Sequence, residues 1–509
     1  MESAIKFASK LIDAEVNRID KKITANYNTL NSLIGVKADT TNLFGSEPVD
    51  LLSPVTYTDP WVKMPNFTQN FMEKDDDCNI VFTGTSITQG GGRSALNNGY
   101  ATDKTNPSLY PIYCDAFDLP GRAWDYLRQF WPNQQYRRYD SGYFTESGTW
   151  NELQTDSTWD DATHKYPYSK MSLSASASIS FVVPDSAWAF RFVYKSEKHG
   201  DVCTVAVTEG NSKLQVQIDS TGAWTEANGF VFTTAEPHDS TAIPGFPYGD
   251  YSRGFGNTIY GKKLHFRTRN GDGTFNALTG VKNVTITKSS NTSKRLTYWG
   301  VEWSRARYML SILNGARGSH SYRTDYAAGV TYNSAYMAKS DIMYFKPDLI
   351  ICEISFNGYY NIPSSTIPTI QKWYFNDNGS GGSALEPLSL DSLTNSFDTT
   401  DIVFYNPSIG VNQFLSNGEL KANYYNDRRW TLMDNRDYVA HWMRVNKSSH
   451  IFCDANAAIR EVAFKYYSSY KNALGVSGHN GYTMLSDIVH PNTRGYAVMW
   501  KALEGVFKF

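Results

Sequence analysis

Apolar residues recur three or four positions apart near the start of the chain, at Ile5, Ala8, Ile12, Val16, Ile19, Ile23, Leu30 and Leu33. That spacing predicts an amphipathic helix over residues 2–35, with Lys10, Glu15, Arg18, Asp20, Lys21 and Lys22 on its other faces. Such a helix either docks on its own domain or pairs with copies of itself. The heptad-like stripe Ile5, Ile12, Ile19 leans towards self-association, and isoleucine at core positions favours three strands.

From Cys78 the pattern changes. Asn79–Thr83 is a short apolar run that enters Gly84-Thr85-Ser86-Ile87-Thr88 and then Gly90-Gly91-Gly92. Residues 109–130 read as a helix broken near Pro120-Gly121, so a strand, a glycine turn and a helix open an α/β sheet. Between 150 and 300 the period becomes two: Ala177–Val183, Trp188–Tyr194, Cys203–Val207, Leu214–Ile218, Lys263–Arg267 and Val284–Thr287 alternate between turn-rich segments. Alternation at this spacing predicts an antiparallel β-sandwich. The α/β pattern then resumes, with strands expected at Tyr308–Leu313, Pro347–Ile354 and Asp401–Tyr405, and helices at 436–447, 454–471 and 493–507. Asn378–Ser383 is a glycine-serine loop that is flexible by composition. The simplest division is an N-terminal helix (1–40), an α/β domain in two parts (41–145 and 301–509), and a sandwich inserted between them (146–300).

Composition narrows the chemistry. The 509 residues carry 48 Lys+Arg against 50 Asp+Glu, a formal charge of −2. No general basic surface exists to displace phosphate counterions, so nucleic acid is not an expected partner. Charged residues are 19% of the chain and aromatics 15%, a balance that suits flat, neutral, polar surfaces. No run approaches 18 apolar residues, so no membrane span is expected, and the N-terminus shows no secretory signal. Five scattered cysteines (Cys78, Cys114, Cys203, Cys352, Cys453) contain no C-x-x-C pair, and the nine histidines show no H-E-x-x-H spacing. Neither a disulfide framework nor a metal site is expected, and no cofactor. Gly256–Lys263 has Walker-like spacing but ends in Lys and lies in sandwich territory, where a β-turn is the expected reading.

Three separated segments converge on one chemistry. Ser86 sits on a tight glycine turn at the exit of a buried strand, where a hydroxyl and its own N–H are presented to the same space, as a nucleophile requires. Asp487-Ile-Val-His490-Pro491-Asn492 precedes the last helix. A carboxylate three residues ahead of a histidine can hold the tautomer that leaves Nε2 free as a base, while Asn492 or Thr493 can cap the helix. Two further turns follow strands and offer oxyanion donors, the N–H of Gly318 in Asn314-Gly-Ala-Arg-Gly318 and the amide of Asn357 in Ser355-Phe-Asn357-Gly358. No Gly-x-Ser-x-Gly elbow is present, and His320 reads as a loop histidine.

Taken in this order, Ser86, Gly318, Asn357, Asp487 and His490 resemble the four blocks of the SGNH (GDSL) hydrolases. The resemblance spans roughly 78–130 and 305–509. It implies a flavodoxin-like three-layer domain with a parallel sheet, and ester hydrolysis without a metal. Ser86, Asp487 and His490 would be the catalytic residues, with the Ser86 N–H, Gly318 and Asn357 as the oxyanion hole. Two positions depart from the family pattern: Thr85 replaces the acid of Gly-Asp-Ser, and Gly358 replaces the Asp of Gly-x-Asn-Asp.

The inserted sandwich resembles carbohydrate-binding modules, with Trp188, Trp224, Tyr248 and Tyr251 as candidate stacking residues. An oligomerising helix, the Ser/Thr/Asn/Tyr-rich chain and an SGNH domain holding a sandwich together look like a bacteriophage tail-fibre or tailspike protein. That resemblance implies a virion-borne homotrimer, assembled through residues 1–35 beside other tail proteins, that removes O-acetyl groups from host surface polysaccharide. The alternatives are a lectin-like receptor-binding protein that keeps the fold without the chemistry, or a soluble cellular carbohydrate or lipid esterase.

Overall fold

Two kinds of sheet share the computed structural model, which describes residues 63–84, 87–88, 90, 114, 118–153, 169–196, 200–208, 214–218, 223–235, 259–269, 274–278, 280, 282–314, 316, 346–353, 400–407, 450–466, 484 and 490–507. The first is a parallel sheet of five strands: β1 (Cys78–Thr83), β2 (Leu310–Asn314), β3 (Leu349–Glu353), β4 (Asp401–Asn406) and β5 (Ile451–Asp454). Their spatial order is β2-β1-β3-β4-β5. β2 to β5 are buried along their whole lengths, as expected of parallel strands covered on both faces.

Among the described residues four helices accompany this sheet: α1 (Pro65–Glu73), α2 (Leu119–Leu127), α3 (Ala455–Tyr466) and α4 (Thr493–Glu504). Proline at the head of α1 lacks only an N–H that the helix would leave unbonded. At α2 the Asp118 side chain accepts from Gly121 N at 2.7 Å. Pro120 and Gly121 therefore lie in the opening turn of α2; of the helix expected over 109–130, Leu119–Leu127 forms α2, and Asp118 stands outside it as the cap. α4 is capped by Asn492, which accepts from Arg494 N (2.9 Å) and Gly495 N (3.0 Å), and it packs against α2 and α3. Among the described residues no helix is long and apolar enough to cross a membrane.

The antiparallel strands run from Gln134 to Ser304 in a nine-stranded and a five-stranded sheet. The expected alternation is plain in Ser178–Val183 and Lys282–Lys288, which pair with one another. Inward rings interdigitate between the sheets: Phe181 stacks on Phe190 and Phe192 at centroid distances of 5.6 and 5.4 Å. The turn expected at Gly256–Lys263 is corrected from Ile259 onwards. Ile259–Arg269 is a strand, and Lys263 pairs with Val193 inside the sheet.

Leu296–Ser304, buried throughout its nine residues, joins the two halves of the molecule. Leu296, Tyr298, Val301 and Trp303 belong to the sandwich core. On the neighbouring strand, alternation sends Phe190 and Phe192 into that core and Arg191 the other way. Arg191 bridges Glu302 (3.2 Å), Asp77 and, through Ser311 Oγ (3.1 Å), strand β2. Lys263 Nζ adds a 2.7 Å bond to the same Glu302 carboxylate. Burial pushes Glu302 up, but Lys263 and then Arg191 outweigh it and hold the carboxyl below its ordinary value. The two sheet systems thus meet across buried, paired charge, and Ser53–Phe509 forms one compact unit.

Candidate active site

Because β1 to β5 are parallel, their C-terminal residues, Thr83, Asn314, Glu353, Asn406 and Asp454, lie at one end of the sheet. β2 and β3 are consecutive in the chain yet flank β1 on opposite sides, so the strand order reverses there. In open α/β sheets the crevice outside the carboxyl ends at such a reversal is where ligands bind.

At that point β1 delivers Gly84. A Cβ on this residue would lie 2.0 Å from Thr88 Oγ1 and 2.5 Å from Glu353 Oε2, so only glycine fits. Thr88 closes the turn. Its N–H donates to Glu353 Oε2 at 3.1 Å, and its hydroxyl donates to the same oxygen. The hydroxyl of Tyr405, on β4, meets Thr88 Oγ1; since the threonine proton already goes to Glu353, Tyr405 is the donor. Burial, and then the nearby Glu353, push the Tyr405 phenol well above its ordinary value and keep it a donor. Asn314 Nδ2, at the end of β2, lies 3.4 Å from Thr88 O and adds a long contact on the β2 side.

The last helix holds the same turn from another direction. Tyr496, in the first turn of α4, donates its hydroxyl to Ile87 O at 2.7 Å, and Gly90 N closes back onto Ile87 O at 3.0 Å. Half-buried His490 lies two residues before the α4 cap. The backbone there is fixed by Asn492 N donating to Met484 O (2.8 Å). A Cβ at Gly495 would lie 2.2 Å from Met484 O, so this helix start also needs glycine. Arg122 on α2 completes the support by donating to Thr493 O at 3.1 Å.

Of the residues singled out from sequence, His490 is described and stands immediately before α4. Ser86, Gly318, Asn357 and Asp487 lie outside the described residues, as do His320, Tyr248, Tyr251 and the helix expected over 2–35. In the chain, Ser86, Gly318 and Asn357 follow the ends of β1, β2 and β3 by three or four residues, and Asp487 falls between Met484 and His490. Among the sandwich candidates, Trp188 is half-buried, and the Trp224 ring faces the Arg267 guanidinium at 5.8 Å. Sequence reading did not single out Thr88, Glu353, Tyr405 or Tyr496. One signal was present, an acid ending the apolar run Leu349-Ile-Ile-Cys-Glu353; the tyrosines carry none. Among the described residues no group of three or more His, Cys, Asp or Glu is placed to hold a metal.

No family model matches the sequence, and no curated protein matches it. Solved structures similar to the chain include a peptidoglycan O-acetylesterase (13% identity, 89% of this chain and 96% of that one, TM-score 0.37). Another is a family two carbohydrate esterase from Cellvibrio japonicus (12% identity, 73% and 96%, TM-score 0.21). The periplasmic domain of a lipopolysaccharide acetyltransferase from Salmonella ser. Paratyphi A is similar over a shorter stretch (12% identity, 39% and 72%, TM-score 0.24).

Proposed function

We propose that the chain is a serine esterase of the SGNH type that removes O-acetyl groups from a polysaccharide. The observation that carries this reading is the bond from Tyr496 to Ile87. It ties the residue after Ser86 to the helix that begins just after His490, linking the two turns that a serine–histidine pair would occupy. The strand order β2-β1-β3-β4-β5 supports a flavodoxin-like reading of the sheet, and its reversal beside β1 supports the same location.

In the proposed cycle His490 takes the proton of Ser86 as the serine oxygen attacks the ester carbonyl. Asp487 orients the imidazole and stabilises its charged form. The Ser86 N–H, the Gly318 N–H and the Asn357 amide hold the tetrahedral oxyanion. His490 then protonates the departing sugar hydroxyl and later activates water to release acetate.

The setting belongs to the same proposal: a phage tail fibre or tailspike, trimeric through residues 1–35, with the two-part hydrolase of 41–145 and 301–509 presenting the inserted sandwich of 146–300 to host glycan. The test is acetate release from O-acetylated polysaccharide and from p-nitrophenyl acetate, with a fluorophosphonate as serine-directed probe. Ser86→Ala is expected to lower turnover by several orders of magnitude and to abolish labelling while the protein stays folded. Hydrolysis retained by a folded Ser86→Ala protein sinks the reading. Glycan binding without hydrolysis by the wild type favours the lectin-like alternative. Light scattering with and without residues 1–35 tests the trimer.

A further inference from the structure

One side chain meets the backbone beside Gly84 and binds Thr88. Glu353 is fully buried at the end of β3. Its Oε2 takes both the N–H and the hydroxyl of Thr88, and the same oxygen occupies the space where a Gly84 side chain would begin. A carboxyl group placed away from water is costly unless hydrogen bonds compensate it, and Thr88, with Tyr405 behind it, supplies bonds of that kind. In the chain, Ser86 lies midway between Gly84 and Thr88. Ile87 is held separately, by the Tyr496 hydroxyl on its carbonyl.

We propose that Glu353 is a positioning residue for Ser86: its carboxylate fixes the height and tilt of the turn, so the serine oxygen reaches the ester at attacking distance. Thr88 and Tyr405 are its intermediaries. The inference rests on the esterase reading of Ser86, and the role is hydrogen-bond acceptance, so a glutamine carbonyl can fill it. Displacing a reacting group by about 1 Å costs on the order of 100-fold in rate.

The test compares wild type, Glu353→Ala, Glu353→Gln and Thr88→Val on p-nitrophenyl acetate. Active sites are counted by fluorophosphonate titration, so that kcat refers to labelled protein only. For Glu353→Ala the expected result is a KM within about twofold of wild type, a kcat per labelled site lowered about 100-fold, and labelling slowed in parallel. Glu353→Gln is expected to recover most of that loss. Thr88→Val, which keeps the N–H and removes only the hydroxyl, is expected to fall about tenfold, and it carries the test if Glu353→Ala does not fold.

Wild-type kcat per labelled site in a folded Glu353→Ala protein, or in Thr88→Val, overturns the inference. So does a smaller number of active sites each working at full rate, which is what a purely structural residue gives. A glutamine variant as slow as the alanine one overturns the acceptor role. A wild type that neither labels nor releases acetate overturns the esterase reading and this inference with it, an outcome distinct from the others.

Discussion

Gln134 completes the edge of a sheet to which it does not belong. Its side-chain amide accepts from Leu310 N at 2.9 Å and donates to Leu310 O, doing for the outer edge of β2 what a further strand would do. Tyr136 adds a second donor to the same carbonyl at 3.0 Å. An open edge is a template for unwanted pairing, and here the sandwich caps it with one amide.

Gln134→Ala is therefore expected to leave the Leu310 N–H without its partner while Tyr136 still serves the carbonyl. A buried orphan donor costs about 1–3 kcal/mol. Urea unfolding should show a loss in that range at unchanged m-value, and a loss below about 0.5 kcal/mol would count against the capping role.

Tyr496→Phe removes the hydroxyl that holds Ile87 O and keeps the ring. Stability is expected to fall by about 1 kcal/mol. On the esterase reading, acetate release should fall by roughly tenfold with KM little changed, because Ile87, the residue after Ser86, loses its bond to α4. Full activity in this variant would separate α4 from the positioning of the turn.

Gly84→Ala inserts a methyl group 2.0 Å from Thr88 Oγ1 and 2.5 Å from Glu353 Oε2. Neither atom is at the free end of a flexible exposed chain, so the turn must shift. The expected result is a folded protein, less stable by about 1–3 kcal/mol, with hydrolysis reduced at least as much as in Glu353→Ala.

At the junction of the sheets, Glu302→Gln leaves Arg191 and Lys263 buried beside a neutral amide. Breaking a buried pair by removing one charge costs about 3–5 kcal/mol, which should appear as a lowered midpoint in thermal unfolding. Glu302 is held below its ordinary value of 4.5. Its contribution is thus present above that value and is lost as pH falls through the folded one.

His265 gives a second acid-sensitive signal. Burial first, then the charges of Arg191, Lys263 and Arg267, hold its imidazole well below 6.5. Below pH 6.5 the unfolded chain takes up a proton that the folded chain refuses, so stability falls as the pH drops. The slope attributable to one proton is at most about 1.4 kcal/mol per pH unit. In His265→Gln the decline between pH 6.5 and 5 should be shallower by up to that amount; an identical profile would remove His265 from the account.

These predictions rest unevenly on what sequence alone conveys. Alternation exposes Ser178–Val183 and Lys282–Lys288 because each has one face towards the core and one towards water. Leu296–Ser304 hides from the same reading, since both of its faces are covered and no polar period remains. Gln134–Arg138 hides for the opposite reason. It is a polar strand, and what it serves is the edge of a different sheet. Asp118 and Pro120 show the ambiguity of proline, which breaks a helix in its middle and opens one at its head. Near the site, the Asn492 cap was legible from spacing because it adjoins the helix it caps. Glu353, Tyr405 and Tyr496 converge on Ile87 and Thr88 from three distant segments, and no local pattern announces that.

The antiparallel strands that lie between β1 and β2 in the chain also set an order of events at the ribosome. Asp77 and Met309, hydrogen-bonded just ahead of β1 and β2, stand 232 positions apart. At roughly 5–20 residues per second, β1 waits about 10–50 s for its first neighbour. The sandwich, built largely from strands closer in sequence, can close during that interval. The apolar run Cys78–Thr83 is therefore open to mispairing in the nascent protein until β2 emerges, and slowing synthesis lengthens that exposure.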